Sequence, residues 1–116
     1  MKRDKMAALT AWKNDPHHRP LVMKGARQVG KTWLVREFGR SFDDFVEFNF
    51  ERRPALKELF AHDLRPERLV SELSAVAGRR IVPGHTLLFL DEAQACPASL
   101  ASLRYFHEEI PHLHVV

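Results

Sequence analysis

The stretch "GARQVGKT", Gly25 to Thr32, decides how this chain reads: glycine, four residues, glycine, lysine, threonine. Glycines at Gly25 and Gly30 let the backbone fold tightly and turn its N–H groups inward, a concavity suited to phosphate oxygens. Lys31 supplies a full positive charge for β- and γ-phosphate oxygens, and the Thr32 hydroxyl is a hard oxygen ligand for Mg²⁺. The flanking sequence has the pattern such a loop requires. "LVMKG", Leu21 to Gly25, is a short apolar run ending in glycine and reads as a buried strand. From Lys31 the period changes: Leu34, Val35 and Phe38 fall on one helical face, and Gly39 is a C-terminal stop. A helix opening near Lys31 adds the partial positive charge of its N-terminus. The candidate nucleotide-binding positions are Gly25, Ala26, Arg27, Gln28, Val29, Gly30, Lys31 and Thr32. Arg27 and Gln28 occupy free positions of the pattern, where side chains need not touch phosphate.

Strands and helices alternate along the rest of the chain. Lys2–Asn14 carries Met6, Leu9 and Trp12 on a weak apolar stripe and reads as a short helix, which "NDPHHRP" breaks. "FVEFNF", Phe45 to Phe50, is aromatic and β-branched and reads as a strand. Ala55 to Phe60 has room for a helical turn or two. Pro66 stands at a first helical position, Leu69, Val70, Leu73, Val76 and Ala77 follow at helical spacing, and Gly78 closes the segment. Leu100, Leu103, Phe106 and Ile110 mark a last helix ended by Pro111, and "HLHVV" opens one more strand. This alternation predicts βαβ units and an α/β fold with a mostly parallel sheet. No repeat, low-complexity segment or linker divides the chain, so residues 1–116 are expected to form one domain, preceded by the short helix at about 1–14.

A second motif lies in "TLLFLDEAQ". A continuous apolar run from Thr86 ends in two acids, the signature of a strand buried on both faces in a parallel sheet. Asp91 falls at the carboxyl end of that strand, where α/β sheets place their ligand crevice. A carboxylate there can hold Mg²⁺, usually through water, beside Thr32. Glu92 can orient and polarise an attacking water, since phosphoryl transfer is mostly positioning and electrostatics. Taken alone, an apolar run ending in Asp-Glu also describes a strand capped by solvated acids; the first motif gives it weight.

Composition sets the frame. The chain has 116 residues, 45% hydrophobic and 28% charged, with a net charge of +3, enough apolar content for a core and no bias toward disorder. The mildly basic balance suits polyanions, nucleotides included, without demanding nucleic acid. The single cysteine, Cys96, excludes an internal disulfide, and the N-terminus carries charges where a secretory signal would be apolar. No run approaches a membrane span, so the expected location is the cytoplasm, with no membrane partner. Seven histidines invite a metal reading; His112 and His114 would share a strand face, but no cysteine or carboxylate completes a set at known spacing. The pairs Arg52-Arg53 and Arg79-Arg80 read as dispersed surface charge, with nucleic-acid contact as the competing reading.

Together, "PLVMKGARQVGKTWLVREFG", "NFE" and "TLLFLDEAQACP" resemble the N-terminal part of a prokaryotic group of AAA-superfamily (ASCE-type) P-loop ATPases, whose ATPase core is followed by a C-terminal domain. The resemblance runs from about Leu9 to Val116. It implies a P-loop NTPase fold, three-layer α/β/α, with ATP and Mg²⁺ as cofactors. It assigns Gly25, Gly30, Lys31 and Thr32 to the nucleotide loop (Walker A), Asp91 to the metal and Glu92 to the water (Walker B), with Lys31 and Glu92 as the catalytic pair. The family's strand order puts "FVEFNF" beside "LLFLDE", and "HLHVV" between "LLFLDE" and "LVMKG". Asn49, near the carboxyl end of its strand, could then reach Glu92 with its amide. In related ATPases a polar residue there holds the glutamate inactive until a partner binds.

Such ATPases continue past the "HLHVV" strand into a sensor residue, a fifth strand, a lid and an arginine finger, none of which stands in this sequence. The resemblance therefore implies an N-terminal portion of a larger ATPase, truncated before the last core strand, that alone binds ATP weakly and hydrolyses it slowly or not at all. Two other functions compete: a nucleotide-binding switch or interaction module without significant hydrolysis, and the ATPase portion of a DNA-associated protein. The partners on these readings are ATP, further copies of the chain in a homo-oligomer, for which Arg104 is one candidate trans-acting charge, and a protein or DNA engaged through a C-terminal region.

Overall fold

The run "TLLFLD", Thr86–Asp91, is a strand with all six residues buried. A computed structural model of the chain describes residues 2–22 and 28–116, and the side chains of residues 5–22 and 30–116. The element order is helix α1 (Lys2–Asn14), helix α2 (Gln28–Gly39), strand β1 (Asp44–Asn49), a 3-10 helix (Pro54–Phe60), helix α3 (Pro66–Ala77), strand β2 (Thr86–Asp91), a 3-10 turn (Ala93–Ala95), helix α4 (Pro97–Glu109) and strand β3 (His114–Val115). The three strands form a parallel sheet in the order β1-β2-β3.

Side chains alternate across β2 and so divide the core in two. Leu88 and Leu90, with Val46 and Phe48 of β1, face Leu69 and Leu73 of α3 and Phe106 of α4. Leu87 and Phe89 face Leu9 of α1 and Leu34, Val35 and Phe38 of α2. The result is the expected α/β/α sandwich: α1 and α2 on one face, α3 and α4 on the other. Each such Leu or Phe contributes roughly 1.5–3 kcal/mol by leaving water, so β2, apolar on both faces, anchors both layers.

The strand order follows the resemblance where it is described. β1 pairs with β2 in register from Asp44↔Thr86 to Asn49↔Asp91. β3 pairs with the other edge of β2, through Leu87↔His114 and Leu88↔Val115. On the far side of β3, the Leu21 N–H donates to the Val115 carbonyl at 2.9 Å. The "LVMKG" run therefore starts against β3, although Leu21 and Val22 are not in a strand and residues 23–25 lie outside the described residues.

α3 realises its sequence signals one by one. Pro66 opens it, Leu69 and Leu73 are its buried stripe, and Gly78 caps it in the left-handed conformation (φ 69°). There the Arg79 N–H reaches back to the Ser74 carbonyl and the Gly78 N–H to the Ala75 carbonyl. α4 departs from expectation. Its buried face is Ser99, Ser102 and Phe106, while Leu100, read as part of the apolar stripe, is 40% exposed. Small residues hold the inward positions where the helix meets the turn before it: the Ser99 hydroxyl lies 2.7 Å from the Cys96 carbonyl and 3.3 Å from the Ala93 carbonyl of that turn. The shared strand face for His112 and His114 is not formed either, because β3 begins at His114. His114 instead stacks on His18 at 3.8 Å between ring centres, with Trp12 edge-on to both. This cluster docks α1 and the following turn onto β3. Among the described residues, no helix is long and apolar enough to cross a membrane.

Candidate functional site

Gly25, Ala26 and Arg27 lie outside the described residues, as do the side chains of Gln28 and Val29. What is described of the glycine loop is its downstream half. α2 begins at Gln28, ahead of the start near Lys31 that the apolar period suggested. Gly30 therefore sits in the first turn of a helix, at a negative φ, and a Cβ built on it meets nothing within 4 Å. Glycine in a helix is roughly 1 kcal/mol worse than alanine. Neither the backbone conformation nor any atom of the described residues requires it at Gly30.

The two motifs, far apart in sequence, meet in space. The Thr32 hydroxyl donates to Asp91 Oδ2 at 3.2 Å across 59 positions of chain. α2 carries Thr32 to the sheet by burying Leu34, Val35 and Phe38 against β2. β2 delivers Asp91 at its carboxyl end, 4% exposed, with Glu92 next to it at 5%.

Asp91 is held by neutral donors. Besides Thr32, the Asn49 amide approaches Oδ2 at 3.4 Å, and the Glu92 backbone N–H donates to Oδ1 at 3.0 Å. The resemblance implies that the Asn49 amide could reach Glu92; in this structure the amide approaches Asp91. The cause is register: Asn49 stands directly opposite Asp91 in the parallel ladder, and the chain turns away immediately after Asp91. The Asn49 side-chain Oδ1 is also engaged, accepting the backbone N–H groups of Glu51 and Arg52 at 2.9 and 3.0 Å.

The turn is made by Glu92 itself, at φ 54°, ψ 43°, in the left-handed region. Among the described residues it is the one non-glycine with positive φ. Its carbonyl accepts the Ala95 N–H at 3.0 Å, closing the 3-10 turn, and its carboxylate accepts a hydrogen bond from the Gln94 amide at 2.9 Å. A glutamate in this conformation is uncommon, and such outliers concentrate at functional sites. Sequence reasoning found Asp91 and Glu92 but missed this conformation and the role of Gln94. The one available signal was the shortness of "EAQAC" between a buried strand and Pro97, which leaves little chain for reversing direction.

Asp91 and Glu92 are adjacent and both buried. Among the described residues no basic side chain pairs with either. Arg36 of α2, the cation whose field reaches Asp91, is committed to Glu47 of β1 through two 2.8 Å bonds. The Glu47 hydrogen bond, then its charge, holds the Arg36 guanidinium above its ordinary pKa, with Asp91 a lesser contributor. Lys31 is partly buried at the base of the loop and has no ion-pair partner among the described residues. No group of three or more His, Cys, Asp or Glu side chains is placed to hold a metal among the described residues. What the site does offer is a hydroxyl and a carboxylate oxygen 3.2 Å apart. Neighbouring ligands about 2.1 Å from Mg²⁺ in octahedral geometry are spaced roughly 3 Å apart. The donor chemistry and the spacing fit a hard divalent cation.

No curated protein and no solved structure matches the chain. A protein-family model described as an AAA domain matches residues 17–116, the stretch that follows α1 and contains both motifs and the whole sheet. The chain therefore belongs to the AAA domain family, and its fold is that of a nucleotide-binding, ATPase-like domain.

Proposed function

We propose that the chain binds Mg-ATP and that its site directs water at the γ-phosphate. The observation that carries this reading is the Thr32–Asp91 contact, which joins the glycine-lysine-threonine loop to the carboxyl end of the buried strand. In this reading Gly25 to Gly30 and the first turn of α2 offer backbone N–H groups to the phosphates, and Lys31 offers its ammonium to the β/γ oxygens. Thr32 and Asp91 hold the cation, which when bound withdraws charge from the phosphate oxygens. Asn49 keeps Asp91 in place. Glu92 accepts a hydrogen bond from the water and aims it, with the geometry fixed before substrate arrives.

Titration of the chain with a fluorescent ATP analogue in the presence and absence of Mg²⁺ tests the binding claim. Lys31→Ala is expected to weaken binding roughly 10- to 100-fold, the loss of one charged contact. Single-turnover phosphate release, which reads slow hydrolysis, tests the second claim. Saturable binding that is indifferent to Lys31→Ala would overturn the nucleotide reading. Lys31-dependent binding with no phosphate release, unaltered by Glu92→Gln, would leave a nucleotide-binding module and overturn the hydrolytic one.

A further inference from the structure

Glu92 has a dedicated partner, and it is not the residue on the neighbouring strand. Gln94 Nε2 donates to Glu92 Oε1 at 2.9 Å, whereas the amide of Asn49 is occupied with Asp91 and the backbone of Glu51 and Arg52. The backbone of the turn that carries the Glu92–Gln94 pair is held at several points. The Glu92 N–H donates to Asp91 Oδ1 and the Glu92 carbonyl accepts from Ala95. The turn carrying Gln94 is tied down by the Cys96 N–H on the Ala93 carbonyl at 2.9 Å and by the Ser99 hydroxyl on the same oxygen at 3.3 Å. Ser99 belongs to the buried face of α4, so the turn is referenced to the core rather than to solvent.

We propose that Gln94 is a positioning residue for Glu92: its amide fixes the carboxylate on one oxygen and leaves the other to face a water. This rests on the reading of Glu92 as the water-directing group. A contact two residues along the chain, made within one turn, forms whenever that turn forms and needs no partner to assemble it. It therefore acts as a constant aim on the carboxylate, not as a catch that a partner releases. The chemistry favours an amide at this position. It donates without adding charge beside two buried acids, and it cannot accept the proton or neutralise the carboxylate as a lysine would. A glutamate of the same shape at position 94 would replace the donor with a repelling oxygen.

The experiment pairs a contact readout with a kinetic one on the full chain. In a ¹⁵N-resolved NMR spectrum, the side-chain amide of Gln94, identified by its loss in Gln94→Glu, is expected away from free-amide positions. It should return to them in Glu92→Ala and stay in place in Asn49→Ala. In single-turnover phosphate release, Gln94→Ala and Gln94→Glu are expected to slow the chemical step roughly 10- to 100-fold. ATP affinity should change less than about twofold, and Tm should hold, since Gln94 is exposed. A Gln94 amide at free positions in the parent chain, or full-rate release by Gln94→Glu, overturns the proposal. Loss of the ATPase reading looks different: the parent chain then shows no Lys31-dependent phosphate release, while the NMR arm still decides whether Gln94 holds Glu92.

Discussion

Gly78 and Glu92 share a backbone conformation and nothing else. Both are left-handed, at φ 69° and 54°, and both end a regular element and turn the chain toward the next. At the end of α3 the residue is glycine, which adopts that conformation without a steric cost. At the end of β2 it is a buried glutamate beside a buried aspartate, the residue that local preference would choose last. The difference separates structural from functional necessity. Where the fold needs only a turn, the chain uses the residue that turns most easily. Where it uses glutamate despite roughly 1–2 kcal/mol of conformational strain, the water-directing role proposed for the carboxylate gives a reason for the exception.

The sharpest way to break this comparison is to make the two sites alike. Glu92→Gly is expected to slow phosphate release by roughly 100-fold or more, the loss of a group that orients and polarises water. The same substitution should raise stability by about 1 kcal/mol, from relieved backbone strain. Thermal melts and single-turnover assays on one preparation check both. A Glu92→Gly protein that is less stable would show that the side chain serves the fold. The converse change is Gly78→Ala. A Cβ there meets nothing within 4 Å, so the expected loss of about 1 kcal/mol isolates backbone strain, with phosphate release unchanged. A denaturant midpoint that does not move would remove the contrast.

The smallest effect concerns buried polar groups that serve structure. His114 is buried, its Nε2 donates to the Lys13 carbonyl at 2.9 Å, and its buried Nδ1 has no hydrogen-bond partner among the described residues. Burial lowers its pKa below the ordinary histidine value; the Lys13 carbonyl opposes that shift, and the charges of His18, Lys13 and His112 add to it. The folded state thus favours the neutral ring. The stability it contributes is present above the unfolded pKa, about 6.5, and is lost as pH falls from there toward the folded value, because the unfolded chain binds the proton first. Tm should decline on acidification from pH 7 to 5, and less so in His114→Phe. Asp63, whose carboxyl is held below its ordinary value by the Arg68 hydrogen bond, loses its contribution only below about pH 4 and does not confuse that window. An identical slope in both proteins would remove His114 as the source.

Much of this was legible in order along the chain. The unbroken apolar run of β2 predicted a strand buried on both faces, because only a sheet covered twice accepts such a run. Pro66, the Leu69–Leu73 stripe and Gly78 fixed α3 from local rules alone. Asp91 and the Lys31–Thr32 pair stood out as candidates because hard-oxygen and phosphate chemistry restricts residue type tightly, and the structure brings Thr32 and Asp91 together. The serine face of α4 was not legible. An apolar period argues for Leu100 inward, and only the closeness of the preceding turn reverses it.

The sequence by itself determined which residues are candidates for phosphate and metal, and that strands and helices alternate, since both follow from side-chain chemistry and short-range periodicity. Only the tertiary structure decided which of those residues touch. Register between β1 and β2 gave Asn49 to Asp91 rather than to Glu92. The left-handed turn at Glu92 brought Gln94 onto its carboxylate. The return of β3 into the sheet stacked His114 on His18 from the other end of the chain. Each of these depends on how distant segments align, and a one-residue shift in a strand sends every side chain to the opposite face. That alignment is set by burying the whole core at once and is encoded in no single stretch.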